Sequence, residues 1–120
     1  MDVAQMLAHC SEVMDVYNGD KSFGKVSWIA KLFKKMVYDV VAGDKPYGKS
    51  GPTLPQFKIM SKKKFEIEKE RLVASIQKFY TSDSEQRSSL KHPLFGTLSD
   101  EEIGWAMYKH LNHHLVQFGV

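Results

Sequence analysis

The clearest feature of the sequence is a set of apolar residues that recur every three or four positions, the period of a helix with one buried face. Four stretches show this spacing: residues 3–17, 28–41, 61–80 and 99–118. None of the chain shows the alternation of apolar and polar residues that is typical of a half-buried strand. The pattern therefore predicts an all-α fold, an antiparallel helical bundle of three main helices plus a shorter second one.

Residue types at the ends of these stretches predict where the helices begin and end. Ser99 and Glu102 have the spacing of a capping box, in which each side chain satisfies a free backbone donor at the start of the last helix. Ser61 is the expected N-cap of the third helix. Gly19 and Gly43 are expected to close the first two helices, because glycine readily adopts the left-handed backbone conformation.

Two segments rich in turn-forming residues are expected to be connections. Residues 43–57 contain three prolines and three glycines, and residues 81–89 are polar and rich in serine. Within the third helix, the spacing predicts a buried face made of Phe65, Leu72, Ile76 and Phe79. Trp28 and Trp105 are expected in the core or at an interface.

The first helix begins almost at Met1, and no cap is evident before it. Three amphipathic helices leave a groove that a fourth would normally fill. The helix of residues 28–41, a second copy of the chain, or a helix missing from this sequence could fill it. We favour self-association, giving a homo-oligomer and most simply a dimer, because it would bury apolar surface that otherwise meets water.

Composition indicates an ordinary globular protein, with residues 1–120 expected to form one domain. The net charge is +3, and the basic residues gather in Lys25–Lys35 and Lys58–Arg71. Glutamates interleave the second group and weaken its field, so a solvated face is expected and no nucleic-acid partner. The sequence has no apolar stretch long enough to span a bilayer and no signal peptide. Cys10 is its single cysteine. We therefore expect a cytoplasmic protein with no membrane partner.

Five histidines carry the candidate chemistry, and two of them lie in the apolar stripe of the last helix. At 100° per residue, His110 and His114 fall one turn apart, where leucine would be usual. This spacing lets two imidazoles converge on one metal ion. A hydrogen-bonded core pair is the alternative, since buried polar groups need partners. A third ligand would have to come from another helix, and His9 or the thiol of Cys10 could supply it.

Several segments resemble the DinB-like (YfiT-like) superfamily of metal-binding four-helix bundles. Residues 4–10 (AQMLAHC) are similar to its second helix, and residues 110–117 (HLNHHLVQ) are similar to its last-helix motif. Residues 92–98 (HPLFGTL) and 52–57 (PTLPQF) resemble one uncharacterised branch of it. The resemblance covers nearly the whole chain, except that the first helix of the family would precede Met1.

The resemblance implies an open three-histidine site, matched here by His9, His110 and His114. Its relatives hold divalent ions, so nickel, zinc, iron or manganese is expected, with a small-molecule substrate and a low-molecular-weight thiol as a further cofactor. Three ligands leave coordination positions open to a water or a thiolate, and the resemblance alone favours a thiol-dependent S-transferase over a hydrolase. Asn112 replaces the usual aspartate of the motif, which removes a charge but no ligand. No catalytic residue is assigned.

Other polar residues near the predicted site have plainer interpretations. Glu12, one turn after His9, is the nearest acidic group, and a solvated glutamate is the expected reading. Gln117 either orients His113 or His114 by a hydrogen bond or is exposed. His92 is read as part of a structural lead-in to the last helix. A metal-free interaction module that completes its bundle by oligomerisation is the alternative to the enzyme.

Overall fold

The computed structural model describes residues 1–49, 51 and 53–120, which form six α-helices, a 3-10 turn and one short hairpin. The helices are α1 (Val3–Tyr17), α2 (Trp28–Leu32), α3 (Lys34–Val41), α4 (Phe65–Thr81), α5 (Ser84–Ser88) and α6 (Asp100–Gln117). The predicted all-α class is confirmed. Among the described residues, no helix is both long enough and apolar enough to cross a membrane.

Both helices that carry the candidate histidines have capping boxes at their N-termini. The Ser99 hydroxyl accepts from the backbone N–H of Glu102, and the Glu102 carboxylate accepts from the N–H of Ser99, as predicted for α6. Asp2 and Gln5 make the same reciprocal pair at the start of α1. The expectation of an uncapped first helix was therefore wrong, because an aspartate satisfies the free donors as well as a serine does.

The stretch of residues 28–41 is helical but is divided in two. Phe33 leaves helical geometry, with φ −101° and ψ 28°, so α2 ends before it and α3 begins after it. The Ser27 hydroxyl caps α2 by accepting from the N–H of Ala30. Trp28 is strongly exposed and Trp105 is also exposed, so neither belongs to the core.

Helix α4 starts later than predicted and buries a different face. Residues 61–64 precede the helix, and Ser61 caps nothing in α4, which begins at Phe65 without a side-chain cap. Phe65 and Ile76 are exposed, whereas Leu72 is buried and Phe79 is partly buried. The buried face instead follows the same spacing through Glu68, Leu72, Ser75 and Phe79. Ser75 belongs to this face because its hydroxyl donates to Asp15 on α1, and Glu68 lies 3.6 Å from the Arg71 guanidinium, which also binds Glu12 and Asp15 of α1.

Three short elements interrupt segments that were expected to be loops. Residues 55–57 form the 3-10 turn, and α5 lies within the serine-rich connection. Strand β1 (Lys91–His92) pairs antiparallel with β2 (Gly96–Thr97), so the prediction of no strand was wrong. Such a two-residue ladder is too short for apolar alternation to reveal. Pro52, one of the predicted breakers, lies outside the described residues.

The three long helices form the bundle around one apolar core. Glu12 lies against Arg71 and Asp20 against Lys78, so α1 and α4 run in the same direction. Helix α6 runs antiparallel to both, and the long connection between α1 and α4 makes this possible. The core is buried between these helices and includes Met6, Leu7, Cys10, Met14, Leu72, Ile103 and Met107.

Candidate metal centre

Helices α1 and α6 bring three histidines together in the interior of the bundle. His110 and His114 lie one turn apart on the buried stripe of α6, which Ile103 and Met107 continue. His9 projects from α1 toward them, and all three side chains are buried. The predicted set of His9, His110 and His114 is therefore assembled in space, although His9 is distant from the other two in sequence.

The three rings present their nitrogens to one small volume. The Nε2 atoms of His9 and His110 are 3.1 Å apart. The ring of His114 lies 4.8 Å from that of His9 and 4.7 Å from that of His110, centroid to centroid. One ligand nitrogen from each residue lies within 4.8 Å of the others. Donor atoms around a tetrahedral zinc ion are about 3.4 Å apart, so small ring rotations would bring the three nitrogens to that separation.

Two hydrogen bonds set the tautomers of His9 and His114. The Nδ1 of His9 is 2.8 Å from the carbonyl oxygen of Phe57, and the Nδ1 of His114 is 2.9 Å from Oε1 of Gln117. Both oxygens can only accept, so each Nδ1 carries the proton. In the neutral rings, the Nε2 atoms of His9 and His114 therefore carry lone pairs. Metal-ligating histidines are commonly oriented by such outer hydrogen bonds.

The surroundings keep these imidazoles neutral. Burial lowers the pKa of His9, despite its bond to Phe57, and lowers that of His114 to about 4. The pKa of His110 lies well below its ordinary value, first because of burial and then because of the neighbouring rings of His9 and His114. A neutral imidazole is the form that binds a metal ion. The cluster therefore meets the protonation requirement of a metal centre.

Cys10 and Glu12, the two residues near His9 that the sequence analysis considered, do not belong to the cluster. The thiol of Cys10 is buried against the sulfur of Met6, and burial raises its pKa to about 12, so it is a poor ligand. Glu12 is not a solvated glutamate, because Lys21 and Arg71 both bind its carboxylate. These cations lower its pKa, and such a paired carboxylate is a weak general base for the site.

A tyrosine on the loop after α3 covers one side of the histidines. The ring of Tyr47 lies 6.0 Å from that of His110 and 5.1 Å from that of His113. Burial raises the pKa of Tyr47 to about 12, so its phenol stays protonated. Lys109 holds this loop by donating to the carbonyls of Gly43 and Lys45. Sequence reasoning missed Tyr47, since only a general tendency of loops to line pockets pointed to it.

A cleft of about 320 Å³ lies near His9 on α1, and none of the three histidines lines it. Phe57, whose carbonyl orients His9, also lines this cleft, and so does Gln5, one turn before His9 on α1. The remaining walls come from Met1 and from the segment around residues 53–60. No sequence signal pointed to Phe57, because its contribution to the histidines is a backbone oxygen that any residue could provide.

His92 lies away from the cluster and organises the hairpin. Its Nδ1 accepts from the backbone N–H groups of Leu94 and Phe95, and its ring stacks on that of Phe95 at 4.3 Å. Leu94 is buried and Phe95 packs against the core. The structural interpretation of His92 is thus confirmed, and burial lowers its pKa to about 4.

Comparison with known proteins gives one match. A family model described as "Protein of unknown function (DUF1569)" matches residues 2–119. No curated protein matches the chain, and no solved structure matches it.

Proposed function

The chain belongs to the family described as protein of unknown function (DUF1569), and from its own geometry we propose that it binds one divalent metal ion through His9, His110 and His114. The observation that carries the proposal is the orientation of the rings. The Nε2 atoms of His9 and His114 both offer lone pairs to the same buried volume, and Nε2 of His110 lies 3.1 Å from that of His9. Unpaired lone pairs in a buried site are costly, and a shared cation satisfies them.

The donor set favours a borderline transition metal over calcium or magnesium. Imidazole nitrogens suit nickel, zinc, iron and manganese to different degrees, whereas the hard ions take oxygen ligands. Three protein ligands leave positions open, as in catalytic and not structural zinc sites. A bound ion would supply Lewis-acid chemistry to a group that reaches it from solvent or from the adjacent cleft.

On this basis we propose an enzyme of the DinB-like superfamily, either a thiol-dependent S-transferase or a hydrolase acting on a small molecule. The cleft lined by Gln5 and Phe57 lies close to His9 and has space for a small substrate, and none of the three histidines lines it. Tyr47, held protonated by burial, is a hydrogen-bond donor at the edge of the site. The thiol and the choice of transferase rest on the resemblance of residues 4–10 and 110–117.

Metal content is the test of the centre. Protein purified without a histidine tag is dialysed against each of the four metals and then against buffer, and bound metal is measured by plasma mass spectrometry. The comparison is a variant with His9→Ala, His110→Ala and His114→Ala together. Two matched controls are Cys10→Ala, which changes a buried residue next to His9, and His113→Ala, which changes a histidine next to His114.

The proposal predicts near-stoichiometric metal in the wild type and in both controls, and none in the triple variant. An empty wild type after all four dialyses would contradict it. If His113→Ala loses its metal while Cys10→Ala keeps it, His113 is a ligand in place of one of the three proposed histidines. Should the triple variant unfold, the single substitution His110→Asn, judged by circular dichroism and metal content together, decides the same question.

The reaction is tested on the loaded protein with a thiol and an activated alkyl halide. In an S-transfer, the thiolate sulfur bonds to carbon, the carbon–halogen bond breaks, and the thiol proton passes to solvent. Release of halide that requires both the metal and the thiol would support the transferase. Release that requires metal and water but no thiol would support the hydrolase instead.

A non-catalytic module that completes its bundle by oligomerisation is the second candidate. Helix α4 exposes Phe65, Val73 and Ile76 along one flank, and this surface is suited to pairing with a second copy. Sedimentation would show a dimer that Val73→Lys together with Ile76→Lys dissociates. A monomer with a loaded metal centre would contradict this candidate and leave the enzyme standing.

A further inference from the structure

Helices α2 and α3 form an apolar outer surface that nothing in the described chain covers. None of the residues in these two helices, all of which the structure describes, is buried. Trp28 is 73% exposed, Leu32 69% and Met36 59%, and Ile29 and Phe33 are also exposed. Trp28, Ile29 and Leu32 lie on one side of α2 by their spacing, and the exposed Phe33 and Met36 follow them at the junction and in α3. We refer to residues 25–36 as the α2–α3 face.

The segment that carries this face also holds a concentrated positive charge beside the apolar side chains. Lys25, Lys31, Lys34 and Lys35 are all exposed, and no acidic residue occurs between Asp20 and Asp39. Among ion pairs of the described residues, only that of Lys35 with Asp39, at 3.3 Å, involves one of the four lysines. The sequence indicated this basic group, and neither the fold nor the proposed metal centre uses it.

The opposite side of α3 fixes this face in place. Tyr38 donates its hydroxyl hydrogen to the carboxylate of Glu102 on α6 and packs against the core. Val41 also packs on the core, and Lys109 of α6 donates to the carbonyl of Val40. The inner side of the segment is thus anchored to α6, and its outer side remains available as a rigid surface.

We propose that the α2–α3 face binds the surface of an anionic lipid bilayer. Tryptophan, phenylalanine and leucine on one side of a helix, with lysines beside them, are the composition of segments that lie in the membrane interface. The apolar side chains would enter the headgroup region, and the lysines would contact lipid phosphates. The expectation of no membrane partner considered only membrane-spanning segments and a signal peptide. Binding to the membrane surface revises it.

The charge argues against a second copy of the chain on this face. A two-fold dimer places the same patch on both partners, so the lysines that border it on one copy would lie close to those that border it on the other. Such like-charge juxtaposition is strongly unfavourable. Nucleic acid would satisfy the lysines, but its phosphate backbone offers nothing to five exposed apolar side chains. An anionic bilayer satisfies both parts of the surface.

The test is sedimentation of the full-length protein with sucrose-loaded vesicles. One set contains phosphatidylcholine alone, and the other contains about one third phosphatidylglycerol. The variants are Lys31→Gln with Lys34→Gln, and Trp28→Ser with Leu32→Ser. Lys62→Gln with Lys64→Gln removes the same charge from the other basic group, and Tyr80→Ser removes an exposed aromatic from α4. Circular dichroism and metal content verify that each variant is folded.

The proposal predicts binding to the anionic vesicles only, weakened by added salt. Removal of Lys31 and Lys34 should weaken it roughly 30-fold, since each lysine near such a surface contributes about a fivefold factor. The apolar pair should weaken it similarly, and both controls should bind like the wild type. An equal loss in the Lys62 and Lys64 control would overturn the assignment to this face.

Two other outcomes would also overturn the proposal. The first is a protein that does not sediment with anionic vesicles but binds duplex DNA at the same salt concentration, with Lys31 and Lys34 required and Trp28 not. The second is a dimer in the absence of vesicles that Trp28→Ser with Leu32→Ser dissociates. The vesicle assay needs no metal, so its failure is distinguishable from failure of the proposed metal centre.

Discussion

The Nε2 atoms of His9 and His110 lie 3.1 Å apart, although the two residues are 101 positions apart in the chain. Because Phe57 accepts the Nδ1 proton of His9, the neutral His9 ring can meet His110 only as an acceptor. His110 must then donate its own Nε2 proton, or both nitrogens must bind a cation. Metal binding at both Nε2 atoms would replace this hydrogen bond by coordination, and the proton of the neutral His110 ring would move to its Nδ1.

Gln117→Leu is expected to weaken metal binding without abolishing it. The Gln117 amide oxygen holds the Nδ1 proton of His114, and loss of such an outer partner typically lowers metal affinity by roughly 10- to 100-fold. Competition with a fluorescent chelator measures the change. Gln77→Leu, at an exposed position of α4, is the matched control and should leave the affinity unchanged. Equal affinities for the wild type and Gln117→Leu would show that this hydrogen bond has no role in ligation.

His92 is expected to make the fold less stable in mild acid. Its pKa is about 4 in the folded protein against 6.5 in the unfolded chain, so between these values the unfolded state binds more protons. The free energy of unfolding therefore falls as pH drops from 6.5 to 4, by about 2 kcal/mol from this residue after allowance for its partial exposure. Urea titrations with a chelator present measure this loss.

His92→Asn is the variant that isolates this effect. The asparagine oxygen can accept from the N–H groups of Leu94 and Phe95 as Nδ1 does, and it does not titrate. At pH 8 the variant should be about 1 kcal/mol less stable, because the stacking on Phe95 is lost. The difference should shrink or reverse near pH 4.5. A difference that stays constant with pH would contradict the assignment.

Arg71→Met should destabilise the contact between α1 and α4. The Arg71 guanidinium lies 2.7 Å from carboxylate oxygens of both Glu12 and Asp15, and 3.6 Å from Glu68. Its removal leaves three partly buried carboxylates without their shared cation, at a cost of about 2 kcal/mol, given that the guanidinium is partly exposed. Thermal unfolding at neutral pH measures the change.

Lys69→Met is the control for this prediction. Lys69 is also on α4, but its ion pair with Glu66 is long, at 3.9 Å, and exposed. We expect less than about 0.5 kcal/mol from its loss. Equal destabilisation by the two variants would mean that charge in general, and not the buried network, supports this interface.

Lys109→Met should loosen the loop that carries Tyr47. The Lys109 ammonium donates to three backbone carbonyls, those of Val40, Gly43 and Lys45. Loss of these bonds should cost about 1–3 kcal/mol locally and speed amide hydrogen exchange over residues 42–47. Lys45→Met is the control, since the exposed Lys45 side chain can change while its carbonyl stays bonded. Unchanged exchange in Lys109→Met would contradict the anchoring.

Local patterns were sufficient for the elements whose residues interact along one helix. The spacing of α1, the capping box of Ser99 and Glu102, and the burial of His110 and His114 on one stripe all followed from the sequence. These features depend on contacts three or four residues apart, which the helical period fixes. The division at Phe33 and the short hairpin escaped prediction, because neither is long enough to produce a period.

The tertiary structure decided which groups from different elements meet. Periodicity allowed α4 to bury Phe65 and Ile76, but Arg71 and its carboxylate partners on α1 turned Glu68 and Ser75 inward instead. Residue type likewise left His9 and Cys10 open as the third ligand.

Packing placed His9, and not the Cys10 thiol, against the histidine pair of α6, and a backbone oxygen from Phe57 set the tautomer of His9. The sequence by itself determined the helices and the histidine pair on α6, because those depend on neighbours along the chain. Only the folded chain determined the three-histidine centre and the exposed α2–α3 face, because both depend on which surfaces the packing of distant segments covers and which it leaves open.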